Sequence, residues 1–226
     1  MSLVEGWSLV VPIKRLEQAK SRLTLPADAR ASLALAMALD TLGAVLGAGR
    51  VARLVIVTSE AQVRAALDGT PRVRWLDDPG TGLGGAIARG QDHLSAIATG
   101  PSAILLGDLP ALRSAELDEA LAAAQEHQRA MVPDAEGTGT TLLTAVRAQD
   151  LRPRFGPGSR AAHESAGHLV LDRAGPGLRH DVDTAADLAA AIRLGVGEAT
   201  AGVLAGLTVQ LGVPSGLTAD PCVTGD

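Results

Sequence analysis

Three aspartates stand where acidic side chains could bind a divalent cation. Asp108 follows the apolar run Ala103–Leu106, while Asp181 and Asp183 alternate in the segment Asp181–Thr184. Alternate residues of an extended segment point to the same face, so these two carboxylates would repel each other unless a cation bridges them. Carboxylate oxygens are ligands that suit Mg²⁺. We therefore predict that Asp108, Asp181 and Asp183 are metal ligands.

Each acidic segment also has a simpler interpretation. Asp108 could cap the helix that follows it, but Ser114 is better placed for that role. We favour the metal ligand, because a buried carboxylate without a partner is costly. Asp183 or Thr184 could likewise cap the next helix. The pattern D-x-D-x-T also resembles the signature of haloacid dehalogenase phosphatases, but it lies near the end of this chain and does not follow an apolar first strand.

A basic cluster follows the first apolar run of the chain. The segment Pro12–Leu23 contains Lys14, Arg15, Lys20 and Arg22, in a protein whose net charge is −5. Arginine can grip two phosphate oxygens and lysine acts as a mobile point charge, so the cluster could bind a polyphosphate. A solvated basic loop would have the same composition. The Walker A pattern GxxxxGK[ST] is absent from the sequence.

Glycine-rich segments could provide further anion contacts. Gly80, Gly82 and Gly85 fit the dinucleotide fingerprint G-x-G-x-x-G, although they follow the third predicted strand instead of the first. This segment could bring backbone N–H groups close to a phosphate or a base, or it could be only a turn. Gly137–Thr141 and Phe155–Ser159 combine glycines with hydroxyl groups and could hold a second small anion.

The elements that would position these residues alternate along the chain. Strands are predicted at Ser8–Ile13, Arg53–Thr58, Arg72–Asp77, Ala103–Leu106, Thr140–Val146 and His168–Leu171. Helices are predicted at Asp28–Leu46, Glu60–Leu67, Gly85–Ala98, Ala115–His127 and Thr184–Leu194. Ser59 with Gln62 and Thr184 with Asp187 are predicted capping boxes. The alternation predicts an α/β fold with a largely parallel, doubly wound sheet, whose ligands bind at the carboxyl ends of the strands.

Length and composition limit the classes of protein to consider. The chain has 226 residues, which suits one domain at 1–206, and its last residues, 207–226, are expected to form a flexible tail. The mean hydropathy is +0.20 and charge, Gly or Pro interrupts each apolar run, so no membrane partner is expected. No secretion signal is recognised, and the single Cys222 fits a reducing compartment, so we expect a cytoplasmic protein.

Charge and residue types also exclude several functions. A net charge of −5 and 1% aromatic residues disfavour nucleic acid as a partner. A nucleophilic triad has no support, because the sequence lacks G-x-S-x-G and holds one remote cysteine. The five histidines show no metal-ligand spacing and are expected at the surface.

Five segments together resemble the 2-phospho-L-lactate/phosphoenolpyruvate guanylyltransferase family of coenzyme F420 biosynthesis. They are, in order, VVPIKRLEQAKSRL, GDLPAL, GTGTTLL, RFGPGSRAAH and HDVDTAADL, and the resemblance covers about residues 8–206. It implies a single-domain, Rossmann-like nucleotidyltransferase fold with a mostly parallel, mixed sheet flanked by helices. It also implies that GTP is joined to a small phosphorylated three-carbon acid, with release of pyrophosphate and with one or two Mg²⁺ ions as cofactor.

The resemblance assigns roles to residues of this chain. The implied metal ligands are Asp108, Asp181 and Asp183, and the implied catalytic residues are Asp108, Lys20 and Arg22. The implied acid-binding residues are Thr140, Gly156 and Ser159. The implied nucleotide-binding residues are Pro12, Lys14, Lys20, Arg22, Gly82, Gly84 and Gly85. The chain departs from the family at one turn, where the usual L-N-x-A reads Leu83-Gly84-Gly85-Ala86 and lacks the asparagine.

Two other functions stay open from the sequence. One is nucleotide transfer to another acceptor, such as a molybdopterin or a sugar phosphate, although VVPIKRL replaces the L-A-G-G opening of those enzymes. The other is a dinucleotide-binding module built on Gly80, Gly82 and Gly85. Within the family, the Ala- and Arg-rich composition favours phosphoenolpyruvate over 2-phospho-L-lactate. A homodimer is among the oligomeric states that the sequence allows.

Overall fold

A computed structural model describes residues 6–18, 20, 22–97 and 100–210 of the protein. The strands are β1 (Trp7–Pro12), β2 (Val51–Val57), β3 (Val73–Leu76), β4 (Ser102–Leu105), β5 (Arg129–Pro133), β6 (Thr140–Ala145) and β7 (Leu169–Val170). The α-helices are α1 (Ala27–Gly47), α2 (Ala61–Ala66), α3 (Leu83–Ile97), α4 (Ser114–Ala124), α5 (Ser159–Ser165), α6 (Pro176–Arg179), α7 (Ala185–Leu194) and α8 (Glu198–Gln210). Short 3₁₀ turns lie at Leu16–Gln18 and Ala148–Asp150. This order confirms the predicted α/β class.

The strands form one sheet in the order β3-β2-β1-β4-β6-β5-β7. Strand β1 pairs in parallel with β2 and β4, and β2 pairs in parallel with β3. Strand β6 is antiparallel to both β4 and β5, and β7 is parallel to β5. The sheet is therefore mixed and mostly parallel, as predicted. Because β6 runs in the opposite direction, its amino end lies at the same edge as the carboxyl ends of β1, β4 and β5.

The central strands are apolar because both faces of the sheet are covered. All six residues of β1 are buried, and their side chains alternate between two clusters. Leu9 and Val11 pack in one cluster with α1 and α4, whereas Val10 packs in the other with α3. Full burial of each such side chain contributes about 1.5–3 kcal/mol. This two-sided burial explains why the strands are unbroken apolar runs in the sequence.

Helix α1 is long and apolar enough to cross a membrane by length and composition, and it is the one such helix in the described ranges. This differs from the expectation that every apolar run is too short. Half of its most apolar window is buried inside the fold, and Leu33, Met37 and Leu42 have no exposed surface. Asp40, on the same helix, accepts hydrogen bonds from the backbone N–H groups of Ala199 and Thr200. The helix therefore has the packing of a core helix.

Of the predicted helix caps, one is confirmed and two are wrong. Thr184 begins α7 with a capping box, in which its hydroxyl accepts from Asp187 N at 3.3 Å and the Asp187 carboxylate accepts from Thr184 N at 2.7 Å. Ser114 is the first residue of α4 and not its cap. Its hydroxyl donates to the carbonyl oxygen of Ala44 in the last turn of α1. Ser59 is not the cap of α2, which begins after Glu60.

Other differences from the predicted elements occur where the sequence lacks a regular pattern. Strand β5 and helices α5, α6 and α8 were not among the predicted elements. The predicted tail begins at residue 207, but α8 continues to Gln210. The rest of the tail, residues 211–226, lies outside the described residues. His163 and His168 are buried, so the expectation of surface histidines is wrong for both.

Candidate functional site

A cavity of about 610 Å³ opens at the sheet edge formed by the ends of β1 and β4 and the start of β6. It collects residues from most of the predicted segments. The predicted site residues that line it are Pro12, Lys14, Lys20, Arg22, Asp108, Thr140, Gly156, Ser159, Asp181 and Asp183. Of the predicted residues at the glycine turn, Gly82, Gly84 and Gly85 do not line the cavity, although Leu83 between them does.

The loop that carries Asp108 leaves β4 in close contact with the end of β1. A side chain on Gly107 would collide with Ile13 Cδ1 and would lie 3.0 Å from the carbonyl oxygen of Pro12. Glycine at 107 therefore allows the Asp108 loop to approach the first strand. This approach brings Asp108 next to the basic segment that follows β1.

A buried hydroxyl group fixes the same loop from the other side. Thr41 of α1 has no exposed surface, and its hydroxyl accepts a hydrogen bond from Leu109 N at 3.0 Å. The hydroxyl proton is donated to the carbonyl oxygen of Met37 at 2.8 Å. Beyond Asp108, the carbonyl oxygen of Pro110 accepts from Gly197 N. Asp108 therefore lies on a loop that is anchored to helix α1 and to the connection between α7 and α8.

Lys20 lies between two of the three predicted metal ligands. Its Nζ is 2.5 Å from Asp108 Oδ2 and 3.4 Å from Asp183 Oδ1, and its side chain is only 5% exposed. Burial by itself lowers the pKa of Lys20, but the attraction of the two carboxylates outweighs it and raises the pKa above the ordinary value. Lys20 also has a φ of 56°, a left-handed conformation that is unusual for a residue with a side chain.

Asp181 is the most perturbed acid of the site. Its pKa is raised to about 7, mainly by burial and then by the negative charges of Asp108, Asp183 and Asp134. The shift is consistent with the cavity lining, which brings Asp108 together with Asp181 and Asp183 from two segments distant in sequence. A positive charge placed among them would stabilise the ionised form of Asp181.

Asp134 is a site residue that the sequence analysis missed. Its two carboxylate oxygens accept hydrogen bonds from Thr138 N at 2.9 Å and Gly139 N at 2.7 Å, so Asp134 holds the glycine-rich turn that leads into β6. The signal would have been its place directly after a strand. That strand, β5, was not predicted, and the position was therefore not considered.

The acids do not form a ready-made metal cage. Within residues 6–18, 20, 22–97 and 100–210, no group of three His, Cys, Asp or Glu side chains is arranged to hold a metal ion. Two of the carboxylates, those of Asp108 and Asp183, instead contact the Lys20 ammonium group. Their oxygen donors and excess negative charge nevertheless fit a divalent cation that takes its remaining ligands from a phosphate.

The other side of the cavity is formed by hydroxyl groups and glycines. Thr140 is 3% exposed at the start of β6, and Ser159 opens helix α5. Gly156 and Gly158 have φ angles of 138° and 69°, which side chains rarely allow, and Ser159 N donates to the carbonyl oxygen of Gly156 at 3.0 Å. The predicted acid-binding residues therefore come together around one tight turn.

A buried histidine supports this turn. His163 of α5 has no exposed surface; its Nδ1 lies 2.9 Å from Thr140 Oγ1 and its Nε2 accepts from Arg154 N at 2.8 Å. Burial is the main cause that lowers the pKa of His163 to about 4, and the same cause lowers the pKa of His168 to about 4. Both rings are therefore neutral at pH 7. No metal-ligand or triad spacing in the sequence identifies the place of His163.

The glycine turn before α3 serves backbone geometry. Gly80 and Gly82 have φ angles of 75° and 84°, and a side chain on Gly85 would collide with Thr81 Oγ1. These constraints explain the glycines without a ligand. A nucleotide contact at Gly82, Gly84 or Gly85 stays a prediction.

Comparison with known proteins identifies the family of the chain. Residues 14–174 match the family model of the MobA-like NTP transferase domain. The phosphoenolpyruvate guanylyltransferase of Streptomyces coelicolor is 47% identical over 208 residues, which cover 90% of this chain and 98% of that protein.

Solved structures show the same fold at low sequence identity. A Desulfovibrio desulfuricans protein, assigned as a nucleotide-diphospho-sugar transferase, has a TM-score of 0.67 at 18% identity and covers 90% of this chain and 95% of its own. The manganese complex of Rv0371c from Mycobacterium tuberculosis has a TM-score of 0.51 at 21% identity, with 84% and 98% covered. Fold, cavity and sequence identity over nearly the whole chain lead to one conclusion: the protein is a nucleotidyltransferase of the MobA-like NTP transferase family and belongs, within it, to the phosphoenolpyruvate guanylyltransferases.

Proposed function

We propose that the protein transfers the guanylyl group of GTP to phosphoenolpyruvate and releases pyrophosphate. The observation that carries this proposal is the convergence, in one cavity, of Lys20 with Asp108 and Asp183 on one side and of Thr140 with Ser159 on the other. A cationic and acidic half suits a nucleoside triphosphate with its metal, and a neutral hydroxyl-rich half suits a second, smaller anion. The name of the relative from Streptomyces coelicolor supports the choice of both substrates.

The chemistry requires little from a general base. A phosphate oxygen of phosphoenolpyruvate, already ionised at neutral pH, attacks the α-phosphorus of GTP. A new P–O bond forms there, the bond to the bridging oxygen of the β-phosphate breaks, and pyrophosphate leaves with that electron pair. Catalysis then depends on alignment of the two anions and on neutralisation of their charge.

The cationic side chains of the cavity would neutralise that charge. Lys14 and Arg22 are exposed at the cavity wall and can reach phosphate oxygens in solvent, whereas Lys20 is buried among the acids. We assign Lys14 and Arg22 to the leaving pyrophosphate. Lys20 holds Asp108 and Asp183 in place, and a metal ion bound by these carboxylates would free its ammonium group for the triphosphate.

We further propose that Asp108, Asp181 and Asp183 hold one or two Mg²⁺ ions together with the phosphates. The residues fit this cation, because they supply hard oxygen donors. Burial, and then the neighbouring carboxylates, raise the pKa of Asp181 to about 7, and a cation would compensate the negative charge of these carboxylates. When bound, Mg²⁺ would bring the two reacting phosphates together and stabilise the charge of the transition state. A manganese complex of a protein with this fold supports dependence on a divalent metal.

The substrates proposed here are small molecules of the cytoplasm. The net charge of −5 disfavours a polynucleotide as acceptor. The volume of about 610 Å³ is suited to a nucleotide and a three-carbon acid.

The test is pyrophosphate release from the purified protein with GTP and Mg²⁺. Separate reactions contain phosphoenolpyruvate, 2-phospho-L-lactate, or no acid, and a parallel series replaces GTP with ATP. We expect release with phosphoenolpyruvate and GTP above all other combinations. Faster pyrophosphate release with 2-phospho-L-lactate would show that this acid, and not phosphoenolpyruvate, is the acceptor. Release no greater than in the reaction without acid would reject the proposed function.

A further inference from the structure

His163 lies behind the proposed acid-binding turn and has no access to solvent. It has no exposed surface, and the rings of Phe155 and His168 pack edge-on against it, with centroid distances of 5.0 Å and 5.7 Å. Its two ring nitrogens each have one polar partner, Thr140 Oγ1 and Arg154 N. A histidine placed in this way has a fixed orientation.

The partners of His163 determine which nitrogen carries the proton. The backbone N–H of Arg154 can only donate, so Nε2, at 2.8 Å, must accept and carry no hydrogen. The neutral ring then has its single proton on Nδ1. Because burial also lowers the pKa of His163 to about 4, this neutral form persists through the physiological range.

The tautomer in turn determines what the Thr140 hydroxyl can do. Nδ1–H donates to Thr140 Oγ1 at 2.9 Å, so the hydroxyl proton must be directed away from the ring. In this structure it faces Met131 Sδ at 3.4 Å, and sulfur is a weak acceptor. Thr140 lines the cavity, where an anionic oxygen would be a far better acceptor for that proton.

We propose that His163 is a positioning residue for the acceptor acid. Through Nδ1–H it directs the Thr140 hydroxyl proton towards an anionic oxygen of the acid, and through Nε2 it holds the Arg154–Ser159 loop against α5. The inference rests on the proposed function, since it assumes that the acid binds beside Thr140. His163 does not line the cavity, but it determines whether the Thr140 hydroxyl, which does, acts there as a donor.

Two substitutions separate the two contacts of the ring. In His163→Asn, an amide near the position of Nδ1 can still donate to Thr140 but cannot reach Arg154 N. In His163→Gln, an amide near the position of Nε2 can still accept from Arg154 N but no longer donates to Thr140. The control is His93→Gln, because His93 lies on α3 and does not line the cavity.

Steady-state kinetics give the first measurement. We expect His163→Gln to raise KM for phosphoenolpyruvate about tenfold, the equivalent of one hydrogen bond, with KM for GTP changed less than twofold. His163→Asn should raise KM for the acid by less, and the control His93→Gln should leave it unchanged. Thr140→Ala should resemble His163→Gln, and the double variant should be no worse than Thr140→Ala alone, whereas Thr140→Ser should retain most of the affinity.

Nitrogen-15 NMR of the histidine rings gives a measurement that does not depend on turnover. We expect His163 to show the Nδ1–H tautomer at pH 6 to 8, and the Nε2–H tautomer would overturn the inference.

Equal effects of His163→Gln on both KM values, or additive effects with Thr140→Ala, would also overturn it, because a merely structural role predicts them. If the wild type is active and any of these contradicting results is found, the inference about His163 is rejected and the proposed function is not. A wild type that is inactive with every acid rejects the proposed function, and the inference with it.

Discussion

The backbone N–H of Val182 donates to the carbonyl oxygen of Asp108 at 3.2 Å and so ties the two acidic segments of the site together. Val182 is buried, whereas its neighbour Asp181 is partly buried and its neighbour Asp183 is exposed. The hydrogen bond therefore keeps both of these carboxylates beside the Asp108 loop. The arrangement of the acids depends on backbone contacts that a substitution of the acids themselves would leave intact.

Thr41→Val should loosen the Asp108 loop. The substitution keeps the shape of the side chain but leaves the buried Leu109 N–H without its acceptor, which costs about 1–3 kcal/mol of unfolding free energy. We also expect a lower kcat, because Asp108 shares this loop. Urea unfolding and pyrophosphate release measure the two effects. Thr41→Ser retains the hydroxyl and is the control, and wild-type stability of Thr41→Val would contradict the prediction.

Mg²⁺ should stabilise the protein more at pH 8 than at pH 6. The pKa of Asp181 is raised to about 7, so the stability linked to its protonated form is complete below pH 4 and is lost as the pH rises through 7. A bound cation compensates this loss of stability only at pH values at which Asp181 is ionised. Thermal unfolding with and without Mg²⁺ at both pH values measures the difference. Asp181→Asn should remove the pH dependence of the Mg²⁺ effect, and an equal shift at pH 6 and pH 8 in the wild type would argue against it.

The buried histidines should make the protein sensitive to mild acid. Burial lowers the pKa of His168 to about 4, whereas the unfolded value is near 6.5, so its contribution to stability is complete above pH 6.5 and is lost as the pH falls towards 4. The slope is at most about 1.4 kcal/mol per pH unit for each such histidine. His168→Asn should therefore flatten the decline in unfolding free energy between pH 6.5 and pH 5.

The measurement is urea unfolding of wild type and His168→Asn at matched pH values. Asp181 changes stability in the opposite direction throughout this range, and the comparison of the two proteins at each pH cancels its effect. Parallel profiles of the two proteins would show that His168 is not the group responsible.

Lys20→Met should separate metal affinity from turnover. Without the ammonium group, Asp108 and Asp183 lose a competitor for the cation, so we expect Mg²⁺ to bind more tightly in the absence of nucleotide. Turnover should nevertheless fall by about 10²-fold or more, as is typical when one electrostatic contributor is removed. Calorimetric titration with Mg²⁺ and pyrophosphate release test the two parts. Arg193→Met, at an exposed position of α7 outside the cavity, should change neither. Weaker Mg²⁺ binding by Lys20→Met would contradict the proposed competition.

The sequence predicted those features that depend on local pattern. Strand β1 is an unbroken apolar run, and the position of Asp108 follows from the rule that ligands bind at the carboxyl ends of strands. The Thr184 cap was predicted because both partners of its capping box lie within four residues. In these cases, the information is contained in neighbouring residues.

The features that were missed depend on distant contacts. Ser114 has the residue type of a helix cap, but its hydroxyl donates to the carbonyl oxygen of Ala44 in another helix. Strand β5 is five residues long, begins with Arg129 and ends with Pro133. Its pairing with β6 and β7 makes it a strand, and Asp134 was missed with it. The burial of His163 likewise arises from packing against Phe155 and His168, which no spacing in the sequence reveals.

The reversed direction of β6 has a consequence for the ways in which such an enzyme can diversify. The hairpin of β5 and β6 and the loop that leads into α5 form one uninterrupted stretch, Arg129–Ser165, which carries all the residues assigned here to the acceptor. The basic segment after β1 belongs to a different part of the chain. Recombination or grafting of this single cassette could therefore introduce a new acceptor preference while the donor half is inherited unchanged.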